Sequence, residues 1–369
     1  MKVAFVGCGF VADLYIKTLR THANLEFVGV YDRDAARMAA FCAHYGVPSL
    51  ADLDAVFSSG AEIVVNLTNP ASHYEVTRAC LEAGKHVYTE KPLATDMGDA
   101  RELAALAQRL GLHLGSAPCS HLSETAQTMW SALRDEIVGP VRLVYAEVDD
   151  GMLHKMGYRN WISEAGAPWP YEDEFESGCV LEHAGYILTW LTLFFGPATS
   201  VTSFTTCLIP DKGVGTDPEP DGADFSVACI EFASKVVARV TVGLVAPRDR
   251  SLQIIGDEGV LLTENTWDYS CPVYLRKRGQ RKDKKIGPSR KQRYKAPYAS
   301  PSHQMDFARG IAEMADAILE DRPCRLTSEH AMHVAEIMLR MDEANHRGGA
   351  VPITSTFAPI EPAAWAESV

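Results

Sequence analysis

The sequence predicts an α/β protein: a doubly wound parallel sheet, then a second α/β domain built on an open, mostly antiparallel sheet. Three observations predict it. Short apolar runs alternate with helically spaced ones along the first hundred or so residues, a glycine turn joins the first strand to the first helix, and the pattern changes after about residue 120. The expected domains are residues 1–122 and 123–369.

"KVAFVG", "LEFVGVYD" and "EIVVNLT" are short runs rich in valine and isoleucine, as strands buried on both faces of a parallel sheet require. Residues 11–21, 35–45 and 72–83 between and after them have helical spacing, with Gly84 placed to end the third helix. "HVYTE" reads as a fourth strand, 96–110 as a helix and "LHLGS" as a fifth strand. Beyond them 123–135 is helical and "VRLVYAEVD" is a strand with partial alternation. Strand-like runs follow at 199–208, 224–232, 235–245, 251–256 and 259–264. "CIEFASKVVARVTVGLV" holds two of them around a short turn, which favours antiparallel pairing. Helices are expected at 303–320 and 327–346, the second starting at Thr327 as N-cap.

Composition narrows the function. The chain has 369 residues, 47% hydrophobic and 22% charged, the balance of a water-facing globular protein. Its longest apolar run, 186–195, is well short of the ~20 residues that span a bilayer. The apolar start is cut by glycines and Asp13, so it reads as a strand rather than a leader, and a cytoplasmic location is expected. The nine cysteines show no CxxC pair, which argues for reduced thiols and no metal site. A net charge of −13 argues against nucleic acid as a partner, and no membrane partner is expected.

"VAFVGCGFVADLYI" carries G-x-G-x-x-A as Gly7, Gly9 and Ala12, with Phe10 and Val11 completing the turn. The glycines permit a tight turn and close approach of a pyrophosphate to the helix N-terminus. Asp32 ends the second strand, where a carboxylate accepts hydrogen bonds from the adenosine ribose and repels a 2′-phosphate. The expected cofactor is therefore NAD rather than NADP. Arg33 leaves the second open, because it could partner a phosphate or stack on adenine.

"EAGKHVYTEKPLA" places Lys91 after the fourth strand, held extended by Pro92. Together, "GCGFVA", "NPASHYEVTRACLEAGKHVYTEKPLA" and the later "GCVLEHAGY" resemble the glucose–fructose oxidoreductase/inositol dehydrogenase (Gfo/Idh/MocA) family. The resemblance is strong over 1–110 and 177–190 and elsewhere follows element order alone. It implies an N-terminal Rossmann domain and a C-terminal domain whose open sheet forms the interface of a homodimer or homotetramer. It also implies that Thr68, Asn69, Pro70, His73, Glu90 and Lys91 line the nicotinamide side of the cofactor.

In many members the later block reads G-G-G-x-x-x-D-x-x-x-H. Here Gly178 is the last glycine, Glu182 stands for the aspartate and Tyr186 for the histidine, while Glu176 and Ser177 replace the other glycines. A tyrosine there resembles the glucose–fructose oxidoreductase and dihydrodiol dehydrogenase branch, in which it works with the E-K-P lysine. On an α-helix Glu182 and Tyr186 share one face. A phenol with its ordinary pKa near ~10 is a poor base at neutral pH; a nearby ammonium such as Lys91 favours the phenolate. Tyr186 and Lys91 are thus the expected acid/base pair. Glu182 binds a substrate hydroxyl or orients Lys91, and His183 is the reserve acid/base.

The aromatic, acidic segment 149–176 is either a packed surface loop or a wall of the substrate pocket, with Asp149, His154, Tyr158 and Trp161 as sugar contacts. The run 276–295 has eleven basic residues and one acidic one, so it is either solvated or faces an anionic partner. The expected activity is hydride transfer between nicotinamide and a secondary alcohol or ketone of a sugar, nucleotide sugar or cyclitol. The alternatives are a redox-neutral enzyme that retains NAD and a cofactor-bound sensor.

Overall fold

The computed structural model describes residues 1–216, 218, 220–288 and 304–366. Five strands lead: β1 (Lys2–Val6), β2 (Glu26–Tyr31), β3 (Ile63–Asn66), β4 (His86–Thr89) and β5 (Leu114–Ser116). They alternate with α1 (Ala12–Leu19), α2 (Ala35–Tyr45), α3 (Leu53–Ser58), α4 (His73–Glu82) and α5 (Met97–Leu110). There follow α6 (Glu124–Arg134), β6 (Val141–Asp149), α7 (Tyr171–Cys179) and α8 (Gly185–Phe195). The later strands are β7 (Ala198–Thr206), β8 (Phe225–Phe232), β9 (Val237–Gly243), β10 (Leu252–Gly256), β11 (Gly259–Thr263), β12 (Val273–Lys277) and β13 (Lys284–Gly287). α9 (Arg309–Leu319), α10 (Ser328–Arg347) and the short β14 (Val351–Pro352) close the described order.

Two compact units form, each from several stretches of chain. The first gathers 1–119, 157–171 and 306–335; the second gathers 120–156, 172–305 and the chain from 336 onward.

The first unit holds a wholly parallel sheet of order β2-β1-β3-β4-β5. Its central strands bury every residue of Ile63–Asn66, as the unbroken apolar runs demand. Caps set the helix starts: Asp34 accepts the amides of Ala36 and Arg37, and Asp96 those of Gly98 and Asp99. The predicted strands and the four predicted helices between Met1 and Cys119 are present; α3 is an addition, too short for periodicity to reveal.

The second unit holds a nine-stranded sheet of order β13-β12-β11-β10-β6-β9-β8-β7-β14, antiparallel except where β6 pairs with β9. Val144, Ala146 and Val148 face inward on β6, while Leu143 and Tyr145 are part-exposed on the other face. The β8–β9 hairpin is as predicted. β12 and β13 lie within or beside the basic run, whose charges masked their strand pattern. Thr327 accepts the amide of His330 at the start of α10, as expected of an N-cap.

The stretch "GCVLEHAGY" departs from a plain α-helix. α7 begins at Tyr171, inside the segment read as loop, and breaks at Gly178, whose φ is +77°. A π-helical turn, Val180–Ala184, then leads into α8. Gly178 is required twice over: a Cβ there would lie 2.8 Å from both the amide nitrogen and the carbonyl oxygen of Ala223, and the backbone is left-handed. The whole run Tyr171–Phe195 has the length and mean hydropathy of a membrane span, yet 78% of its most apolar window is buried in the fold, the character of a core helix. Counting unbroken apolar residues had made this run look shorter.

Candidate active site

The glycine turn is built as a phosphate cradle. Gly7 has φ +107°, and a Cβ on it would meet the Leu67 carbonyl oxygen at 2.6 Å. A Cβ on Gly9 would meet nothing within 4 Å, so the space above the second glycine is open for a ligand to approach the backbone. No side chain caps the N-terminus of α1, so its positive dipole end faces the turn uncapped, as an anion site requires. Phe10 and Val11 are part-exposed beside this opening. Asp32 is buried; one carboxylate oxygen accepts the Cys8 amide at 2.7 Å and the other the Asp34 amide at 2.8 Å. Its orientation is therefore fixed before any ribose arrives. Arg33 is exposed, while Arg37 comes within 3.9 Å of Asp32. These residues fit a dinucleotide.

Polar bonds in the same unit hold the lysine turn. Glu90 donates its amide to the Asn66 carbonyl at 2.8 Å. Its carboxylate accepts the Tyr15 hydroxyl at 2.7 Å and the Lys91 amide at 3.0 Å. Burial, with Glu90 alongside, pushes the Tyr15 phenol well above its ordinary pKa, so it stays a donor. His73 is fully buried, its Nδ1 2.8 Å from the Pro92 carbonyl and its Nε2 3.0 Å from that of Thr68. It lies between the Thr68–Pro70 turn and the Lys91–Pro92 turn and, when neutral, donates its one N–H to one of the two carbonyls. Burial pushes its pKa down. Thr68, Asn69, Pro70 and Lys91 are part-exposed around this buried brace.

In the second unit Glu182 and His183 lie buried in the π turn, and Tyr186 is part-exposed at the start of α8. His183 Nε2 is 3.9 Å from Glu174, and burial, followed by the charge of Glu182, raises the pKa of Asp173. The Tyr186 carbonyl accepts the Ser120 hydroxyl at 3.1 Å, and Ser120 in turn accepts the Trp190 indole N–H at 3.0 Å. The Tyr186 ring stacks on Trp267 at 4.2 Å between centroids, tilted 35°. Arg250 lies over Trp267 at 3.7 Å and pairs with Asp150. Trp267, Arg250, Asp150 and, in the first unit, Tyr15 are members of these clusters that sequence reading missed. Each is far along the chain from its partner, and no local motif marks it.

The four loop candidates separate. Asp149 sits against Gly243, and burial, followed by Glu147 and Asp249, raises its pKa to about 6. His154 lies in the field of the Lys212–Asp224 ion pair, its pKa lowered chiefly by burial. Tyr158 and Trp161 belong to the first unit, where both pack on Trp169 and Tyr158 also packs on Tyr171.

A parallel sheet with a glycine cradle and an acid at the second strand's end defines a dinucleotide-binding oxidoreductase. Residues 1–117 match the oxidoreductase family Gfo/Idh/MocA, NAD-binding Rossmann fold, and residues 126–262 match the Gfo/Idh/MocA C-terminal domain. The chain belongs to that family and is an NAD(P)-dependent oxidoreductase. It is 21% identical over 324 residues to the trans-1,2-dihydrobenzene-1,2-diol dehydrogenase of Bos taurus, covering 86% of each chain. It is 27% identical over 204 residues to a putative UDP-kanosamine synthase oxidoreductase subunit of Amycolatopsis mediterranei, covering 54% of this chain and 52% of that one. The fold matches the WlbA dehydrogenase of Bordetella pertussis, solved with NADH and UDP-GlcNAcA, at a TM-score of 0.74 and 17% identity over 96% of this chain and 99% of that one.

Proposed function

We propose that the protein transfers hydride between NAD and a secondary alcohol or ketone of a sugar, nucleotide sugar or cyclitol, with Tyr186 and Lys91 as its acid/base pair. NAD, when bound, supplies the hydride acceptor at nicotinamide C4. In oxidation Tyr186, as phenolate, takes the hydroxyl proton while the carbinol carbon loses hydride; in reduction its phenol returns that proton to the alkoxide oxygen. Lys91 carries the positive charge that favours the phenolate. Glu182 accepts a hydrogen bond from a neighbouring substrate hydroxyl. The observation that carries this reading is Tyr186 itself, a part-exposed phenol on a π-turned helix start whose neighbours Glu182 and His183 are buried; such turns concentrate at functional sites. The sugar class draws on the nucleotide-sugar chemistry in the names of two of the relatives.

NAD is proposed over NADP because Asp32 is fixed by two amide donors and presents its charge where a 2′-phosphate would lie. A second copy of the chain is the proposed partner, seated on the open sheet face, where Phe204 is 56% exposed and Leu143, Tyr145, Val227 and Leu262 are part-exposed. The test of function is NAD reduction with UDP-glucose, UDP-N-acetylglucosamine, D-glucose and myo-inositol, followed by mass spectrometry of the products. Failure of all four to give NADH or an altered sugar would reject the substrate class.

A further inference from the structure

Tyr186 is part-exposed, so its neighbours alone do not enclose the phenol. Its backbone is pinned through Ser120, but the ring could still swing about its first side-chain torsions. A flat surface opposes that motion. Trp267, 6% exposed, lies under the Tyr186 ring at 4.2 Å, and the His183 ring meets its edge at 5.7 Å and 82°. The Arg250 guanidinium is 3.7 Å from the same tryptophan centroid. Tyrosine and arginine both pack directly on the indole and clamp it in place. The clamp is itself anchored: Arg250 is buried, its guanidinium pairs with Asp150, and its carbonyl accepts the Thr266 amide at 2.9 Å. The Trp267 amide is held by the Asn265 side chain at 2.9 Å.

We propose that Trp267 is a positioning residue for Tyr186, and that Arg250, locked by Asp150, holds Trp267 against it. This rests on the proposed role of Tyr186. A stacked aromatic pair favours the stacked rotamer by roughly two- to tenfold. Misplacing a reacting group by ~1 Å can cost on the order of a hundredfold in rate. Trp267 acts through the direction of the phenol O–H and makes no bond to the reacting atoms.

The test is a double-mutant cycle with NAD and whichever of the four sugars above is turned over. Trp267→Ala is expected to lower kcat by roughly 10–100-fold with NADH affinity unchanged. Trp267→Phe, which keeps a stacking face, should recover most of that loss. In a Tyr186→Phe background the Trp267→Ala loss should vanish, because no phenol is left to orient. An undiminished loss in that background, or a rise in KM with kcat intact, would overturn the proposal. If Trp267→Ala does not fold, Arg250→Gln carries the same cycle, with a smaller kcat loss that also vanishes beside Tyr186→Phe. Independently of any substrate, the ring carbons of 13C-labelled Tyr186 should show a ring-current shift that Trp267→Leu abolishes; an unchanged shift would also overturn it. Wild-type turnover by Tyr186→Phe alone is a different result, and it rejects the proposed acid/base pair instead.

Discussion

Tyr186 and Lys91 are both part-exposed beside buried carboxylates, Glu182 and Glu90. Tyr186→Phe and Lys91→Ala should each lower turnover by roughly 10²–10⁴-fold, the range for loss of general acid–base catalysis, while fluorescence titration still shows NADH binding. On the proposed pairing the two act as one unit, so the double variant should be little worse than the poorer single one. Glu182→Gln should raise KM more than it lowers kcat. At the ribose end, Asp32→Ala should bring NADPH and NADH affinities together; tighter NADPH binding by the unaltered protein would reject the assignment. Asp149 supplies a pH signature. Its pKa is raised to about 6 in the folded state, so the native protein binds that proton more tightly than the unfolded chain. The group therefore costs stability above about pH 6, and the cost is relieved as pH falls towards the unfolded carboxylate value. Urea unfolding at pH 7.5 and 5 should show this relief in the wild type and a smaller one in Asp149→Asn.

At the scale of elements, the break at Gly178 and the following π turn set which way Glu182, His183 and Tyr186 leave the helix. Gly178→Ala forces a Cβ into the Ala223 backbone at 2.8 Å and a left-handed φ onto a substituted residue. It should destabilise the protein by about 2 kcal/mol or more, read as a lowered unfolding midpoint. α10 is tied to the C-terminal segment in another way. Glu336, fully buried, accepts the amides of Thr354 and Ser355 and the Thr354 hydroxyl. These bonds outweigh burial and lower its pKa to about 2. The stability it contributes is full above the unfolded carboxylate value and is lost only as pH falls through about 2. Glu336→Gln should cost about 2 kcal/mol, the scale of a charge-assisted hydrogen bond, in chemical denaturation at neutral pH. The glycine of the break was legible in the family motif; the π turn was not, because no residue spacing in the sequence marks it.

For the whole molecule, the open face of the nine-stranded sheet is the proposed interface between two copies of the chain. Phe204 and Val227 are register partners there. Phe204→Lys with Leu262→Asp should shift the protein to a smaller species in light scattering while the NADH affinity of the first unit holds. A mass unchanged from wild type would remove the sheet from the interface. The basic run divides: residues 276–288 form β12, β13 and their hairpin, with Arg276 paired to Asp283 at 2.6 Å, and 289–295 lie outside the described residues. On the described hairpin the charges decorate an edge strand, a placement that discourages unwanted strand pairing.

The sequence alone determined what depends on neighbours in the chain. Gly7, Gly9, Asp32 and the Glu90–Lys91–Pro92 turn could be read because tight turns, strand ends and proline restrict the backbone over a few residues. The buried runs of β1, β3 and β4 could be read because a parallel sheet imposes apolarity without interruption. Only the tertiary structure decided which distant groups complete these sites. Tyr15 reaches Glu90 through the packing of α1. His73 spans two turns because α4 begins beside both. Trp267 meets Tyr186, and Arg250 meets Trp267, because the loop before β10 and the loop after β11 come together beside α8. Stacking and burial act through space and leave no spacing in the sequence to count.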